Sequence, residues 1–159
     1  MAMAPAANSV TEASFIEAPR DALLSALYAY WNKARGTRRM PSRSDIDPVE
    51  IPKLLPHILM YNVMPDGGFT IRLVGEAVAD FVGRNATGEP AGAVMTPRAA
   101  EVTIAILRAV VTERMPKFRA GKAHWYEEKS HRDFEACFLP LSSDGETVDI
   151  ILGGVRFPL

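Results

Sequence analysis

The chain has 159 residues, and its 18 Lys and Arg against 19 Asp and Glu leave a formal net charge of −1, so no whole-molecule field draws it onto nucleic acid or an anionic membrane. Hydrophobic residues at 48% and charged residues at 23% suit one globular domain of a length that can bury a full core. A single cysteine, Cys137, excludes an internal disulfide; no Cys/His grouping has the spacing of a structural metal site, and no run of about 20 apolar residues offers a membrane span.

The opening MAMAPAANSVTEASF has neither a basic n-region nor a long apolar run, so it is not read as a secretory leader, and a cytoplasmic location is expected. Residues 1–17 read as a flexible tail and 18–159 as a single domain. From Pro19 the pattern turns helical: Leu23, Leu24, Leu27, Tyr28 and Trp31 recur at the spacing of one apolar face, Asp21 complements the dipole, and Gly36 offers a stop. Next comes RRMPSRSDIDPVEIPKLLP, residues 38–56, a stretch dense in arginine, acid and proline. Asp47, Pro48 and Glu50 form a helix start, but Pro52 and Pro56 interrupt it, so only short turns fit, docked by Ile51, Leu54 and Leu55.

Residues 57–64 and 68–75 read as a β-hairpin around Pro65-Asp66-Gly67-Gly68, with Phe69, Ile71 and Leu73 on the inner face. A short helix over 76–83 ends at Gly83, and a Gly- and Pro-rich loop follows. Thr96-Pro97 then starts a longer helix whose buried side is traced by Ala100, Ile104, Leu107, Val111 and Met115 until Pro116 closes it. Three strands complete the chain, at roughly 117–126, 133–141 and 147–157, with Ser142-Ser143-Asp144-Gly145 as the last turn. Helices set between hairpins indicate an α+β fold: an antiparallel sheet covered mainly on one face.

Charges in the connector are mixed: Arg38, Arg39 and Arg43 lie among Asp45, Asp47 and Glu50. Arg43 paired with Asp45 and Asp47 is expected to tie the N-terminal helix to the domain, with Trp31 packing the joint and Pro48 fixing the turn. Arg39 and Arg43 have the spacing found in one class of cyclic-dinucleotide receptors, yet the Asp-x-Ser-x-x-Gly partner of that motif is absent, so bracing is preferred and nucleic acid is not expected as a partner.

The element order is that of a PAS domain. Three blocks, YWNKARGTRRMPSRSDIDPVEIPKLLPHILMYNV, FTIRLVGEAVADFVGRNATG and FLPLSSDGETVDIILGG, resemble the stand-alone bacterial PAS-like family once catalogued as a domain of unknown function. Together with their spacing they cover residues from about 28 to 154; Glu76 departs from the small Thr or Ser expected to cap the short helix. The resemblance implies a PAS fold with a five-stranded antiparallel sheet, helices on one face and an added N-terminal amphipathic helix. It further implies a sensory or regulatory module in signal transduction, without chemistry of its own. No output domain follows in the sequence, so it is expected to act through protein–protein contact, with a signalling protein such as a histidine kinase or as a homodimer. The N-terminal helix and the outer sheet face are the expected contact surfaces.

Catalytic readings fare poorly. The serines lack a G-x-S-x-G setting, His57, His124 and His131 give no triad order, and no phosphate-binding glycine loop follows a strand. The flavin-binding cysteine motif of PAS relatives has no counterpart in EAVADFVGRN, and no histidine is placed as a haem ligand. Cys137 reads as a small core residue. A small ligand in the core remains open, with Phe81, Trp125, Phe134 and Phe138 as candidate lining residues set against the plain reading that they are core. The competing function is a small-molecule carrier or cryptic enzyme using that same pocket.

Overall fold

The computed structural model describes residues 15–123 and 132–157. Among these, one antiparallel sheet contains β1 (Phe15–Ile16), β2 (Ile58–Val63), β3 (Phe69–Val74), β4 (Lys117–Lys122), β5 (Asp133–Leu141) and β6 (Ile150–Arg156), in the spatial order β1-β4-β5-β6-β2-β3. The sheet therefore has six strands rather than the expected five. The addition is β1, where Phe15 and Ile16 pair with Arg119 and Phe118 inside the stretch read as tail; two residues are too few to carry a periodicity.

Three α-helices accompany the sheet: α1 (Ala22–Arg35), α2 (Glu76–Val82) and α3 (Pro97–Glu113). Asp21 caps α1, its carboxylate accepting from the backbone N–H groups of Leu23 at 2.9 Å and Leu24 at 3.1 Å, and Gly36 ends it at φ 58°, a left-handed backbone that glycine adopts without strain. The face carrying Leu24, Leu27 and Trp31 is buried, each such side chain contributing roughly 1.5–3 kcal/mol by removal from water. That face lies on the centre of the sheet: a Cβ at Gly154 would stand only 2.8 Å from Leu24 Cδ2 and 2.9 Å from Leu27 Cδ2. Tyr28 meets Phe118 edge-on at 4.9 Å.

Helix α1 thus covers the face opposite α2 and α3, because Gly154 lies against α1 while the neighbouring Gly153 lines the space between the sheet and the other two helices. Both faces of the central strands are covered, and β5 is buried continuously from Phe134 to Leu141, the pattern of a strand packed on both sides. The expectation of helices mainly on one face, with the outer sheet face free for contacts, is corrected accordingly.

Two further expectations change for identifiable reasons. In the β2–β3 hairpin, Met60 pairs with Leu73 but Tyr61 pairs with Ile71, so Arg72 is an extra residue that resets the alternation and leaves Leu73 38% exposed. In α3, capped by Thr96 Oγ1 accepting from Ala99 N–H at 3.3 Å, the buried residues are Val102, Thr103, Ile106, Leu107 and Val110. Of the expected stripe only Leu107 belongs to that set. Apolar residues surround much of this helix, so two helical phases compete in the sequence, and Met115 is 58% exposed beyond a helix that ends at Glu113 with Arg114 left-handed at φ 56°.

The loop after α2 runs along the outer edge of β3: Ile71 N–H donates to Glu89 O at 2.8 Å, Gly88 N–H to Ile71 O at 2.7 Å, and Ala91 N–H to Phe69 O at 3.1 Å. Before β2, the connector forms three 3-10 turns, Arg43–Asp45, Pro48–Glu50 and Leu55–His57, as the proline spacing requires. His57, expected to begin a strand, closes the last of these. Met40, Ile46, Ile51 and Leu54 are buried, and Ser142 N–H donates to Pro41 O at 2.9 Å, so the connector is part of the body of the domain.

Candidate ligand cavity and connector

A partly open cavity of about 60 Å³ lies between the sheet and the α2–α3 side, room for several water-sized spheres at roughly 10–15 Å³ each. Strands β2, β3, β5 and β6 supply Tyr61, Ile71, Ala136, Phe138 and Gly153, while Val78 and Val82 of α2 and Thr103 of α3 close it. The lining is overwhelmingly apolar.

Few polar groups reach it. Arg84 is paired through both terminal guanidinium nitrogens with the carboxylate of Glu89, which holds the Glu89 carboxyl below its ordinary value. Thr103 Oγ1 sits 3.3 Å from Met95 Sδ. Burial raises the Tyr61 phenol, which is therefore neutral at physiological pH; the Cys137 thiol, pushed up to about 12 by burial, turns to the α1 side beside Gly154. Arg119 differs from all of these. Its Nε is buried without a hydrogen-bond partner, its guanidinium carbon stands 5.3 Å from the centre of the Phe134 ring, and burial lowers its pKa.

Of the residues expected in the pocket, Phe134 and Phe138 line the cavity. Phe81 does not; its ring stacks on Phe157 at 3.6 Å with the planes 2° apart, and Arg132 covers it at 5.5 Å. Trp125, like His124 and His131, lies outside the described residues. Arg119 went unnoticed in the sequence. Its signal was a cation at the position after Phe118 in a strand: with Phe118 turned to α1, alternation points Arg119 to the cavity side.

In the connector the bracing exists but runs through other atoms than expected. Asp45 pairs with Arg38 at 2.9 Å rather than with Arg43, and its carboxyl is held below its ordinary value first by the Ser42 backbone N–H and then by the Ser42 hydroxyl. Asp47 caps the next turn, Oδ1 accepting from Val49 N–H at 3.0 Å, with Pro48 at the first position. The joint to α1 is Tyr30, whose hydroxyl donates to Glu50 Oε1 at 2.7 Å and accepts from Asp47 N–H at 2.9 Å. Trp31, expected to pack that joint, is buried and donates from Nε1 to Pro140 O of β5 at 2.9 Å. Arg43 instead donates from Nη1 to Ile46 O at 3.0 Å and borders an open surface cleft with Arg72 and Asp149. Arg39 is exposed and Arg43 half-buried.

The sequence profile of the PAS domain family matches residues 20–156. The chain belongs to the PAS domain family. Among solved structures it is similar to the PAS domain of BvgS from Bordetella pertussis, with a TM-score of 0.56 and 19% identity over 70% of this chain and 82% of that one. It also resembles a domain of an HTR-like protein from Haloarcula marismortui (TM-score 0.49, 17% identity, 64% and 96% coverage) and a LOV protein from Rhodobacter sphaeroides (0.48, 10%, 70% and 68%). At these identities the likeness concerns the fold. No curated protein matches the chain. PAS domains are sensory and regulatory modules, and no helix among the described residues of this one is long and apolar enough to cross a membrane.

Proposed function

We propose that this PAS domain is a non-catalytic cytoplasmic sensor that takes a small ligand into its core cavity and signals through protein–protein contact, with a second copy or with a signalling protein such as a histidine kinase. One observation carries the reading: the strands that wall the cavity are the strands on which α1 rests. Phe138 and Gly153 line the cavity, while the adjacent Cys137 and Gly154 lie beneath α1, a Cβ at Gly154 standing 3.2 Å from Cys137 Sγ and 2.8 Å from Leu24 Cδ2. A ligand that shifts β5 and β6 by a fraction of an ångström must displace either the Leu24–Leu27 contact or itself, since packed interiors do not absorb such shifts. The exposed side of α1, together with the connector fastened to it by Tyr30 and Glu50, is then the surface that a partner reads.

Native mass spectrometry of protein purified from its source, combined with hydrogen exchange, tests this. A co-purifying small molecule at one per chain is expected, and its removal should alter amide protection in α1. As a ligand-independent arm, Ala136→Leu fills the cavity from within β5 and should likewise change exchange in α1 and the capture of a partner or second copy. If α1 is indifferent to both treatments, the sensing reading fails and simple carriage of the ligand takes its place.

A further inference from the structure

Burying a guanidinium N–H with no acceptor is costly, and half-buried Arg119 does so at Nε in the wall of an apolar cavity. Charge at the cavity is otherwise balanced: Arg84 has Glu89, and among the described residues no carboxylate is paired with Arg119. An acceptor from outside the chain completes the site.

We propose that the cavity binds a small monocarboxylate with a short apolar tail, its carboxylate received by Arg119 and its tail enclosed by Val78, Val82, Ala136 and Phe138. The inference rests on the reading of the cavity as the sensing site and names the ligand class for it. Each part of the class follows from the walls. A guanidinium favours a planar two-oxygen anion, which it can grip with parallel hydrogen bonds. The apolar remainder of the lining favours a hydrocarbon tail and disfavours a second charge, which would be buried without a partner; a dicarboxylate or doubly charged phosphate is therefore disfavoured. The volume of about 60 Å³ confines the tail to a few carbon atoms.

The same strand offers a route outward. Arg119 faces the cavity and stacks over Phe134, whereas its neighbour Phe118 packs on Tyr28 of α1. Neutralising Arg119 therefore acts one residue away from a contact of the signalling helix.

The test is a thermal-unfolding titration of the full chain with butyrate and isovalerate against butyramide and isovaleramide, at constant ionic strength. Saturable stabilisation by the carboxylates only is expected, together with a loss of about tenfold or more in affinity in Arg119→Met, the size of one charge-assisted hydrogen bond; Arg84→Met should keep the response. Stabilisation by the amides equal to that by the acids, or an undiminished response in Arg119→Met, overturns the assignment of Arg119 while leaving a ligand cavity in place. No saturable shift with any of the four overturns the monocarboxylate class, and the sensing reading is then judged separately by whether Ala136→Leu changes exchange in α1.

Discussion

The indole of Trp31 donates to the carbonyl of Pro140 at 2.9 Å, joining residues 109 apart in the chain. Strand β4 begins at Lys117 opposite Phe138, so no β4 residue lies beside Pro140, and α1 supplies the donor instead. Trp31→Phe keeps most of the packing but leaves that carbonyl buried and unpaired. A loss of about 1–3 kcal/mol is expected, read as a lower urea midpoint with an unchanged slope. An unchanged midpoint would show that the bond does not hold α1 to the sheet.

Tyr30 fastens the other side of the same helix. Removing its hydroxyl in Tyr30→Phe abolishes the bonds to Glu50 and Asp47 and should cost about 1 kcal/mol. Arg38→Ala, which removes a half-exposed ion pair with Asp45, should cost well under about 1 kcal/mol, as surface pairs do. The reverse ranking, measured by chemical denaturation, would shift the joint from the phenol to the guanidinium.

Adjacent glycines in β6 should respond differently to one added methyl group. At Gly153 a Cβ would meet the backbone carbonyl of Leu59 at 2.6 Å, an atom fixed in the β2–β6 ladder. At Gly154 it would meet the ends of two leucine side chains, which can rotate. Gly153→Ala is expected to cost on the order of 2–3 kcal/mol, and Gly154→Ala distinctly less while altering the seat of α1. Thermal unfolding of the pair compares them directly.

Cys137 is buried, and its thiol is pushed up to about 12, chiefly by desolvation. Since the thiolate is the reactive form, iodoacetamide should label the native protein at a rate set by its opening and should label the urea-unfolded chain rapidly. Fast native labelling at neutral pH would contradict the enclosed position of β5.

His57 is half-buried, and its pKa is lowered first by burial and then by Arg156, whose Nη1 is 3.5 Å from His57 Nε2, with Asp21 partly opposing. With the folded value below the unfolded one of about 6.5, the unfolded state takes up the proton first as pH falls. The contribution of His57 is therefore complete above that value and declines on acidification through it, levelling off below the folded value. His57→Gln should flatten this part of the stability profile, and an equally steep decline in the variant would place its origin elsewhere.

Much of this was legible in the residues. The caps at Asp21, Asp47 and Thr96, the prolines of the connector and the hairpin glycines act locally, and local signals survive in a single sequence. What escaped is non-local. The burial of α1 depends on a glycine floor more than a hundred residues away, the role of Arg119 depends on which way β4 faces, and the inner phase of α3 depends on a choice between two apolar stripes that only the sheet makes. Arg43 was given Asp45 on proximity in sequence, yet Arg38 reaches that carboxylate. Phe81 is a candidate for the pocket in sequence, set against a plain core role, and Phe157, from the far end of the chain, takes its ring.

The two margins of the sheet have a bearing on what can associate with the domain. On one side, residues 88–91 already satisfy the main chain of β3; on the other, β1 occupies β4 at Phe118 and Arg119. An extended peptide thus meets a β3 margin already filled at Phe69 and Ile71 and a β4 margin filled at two of its six residues. Recognition by strand addition is disfavoured along that part of β3, and a partner approaching from this flank must grasp loop and turn surfaces.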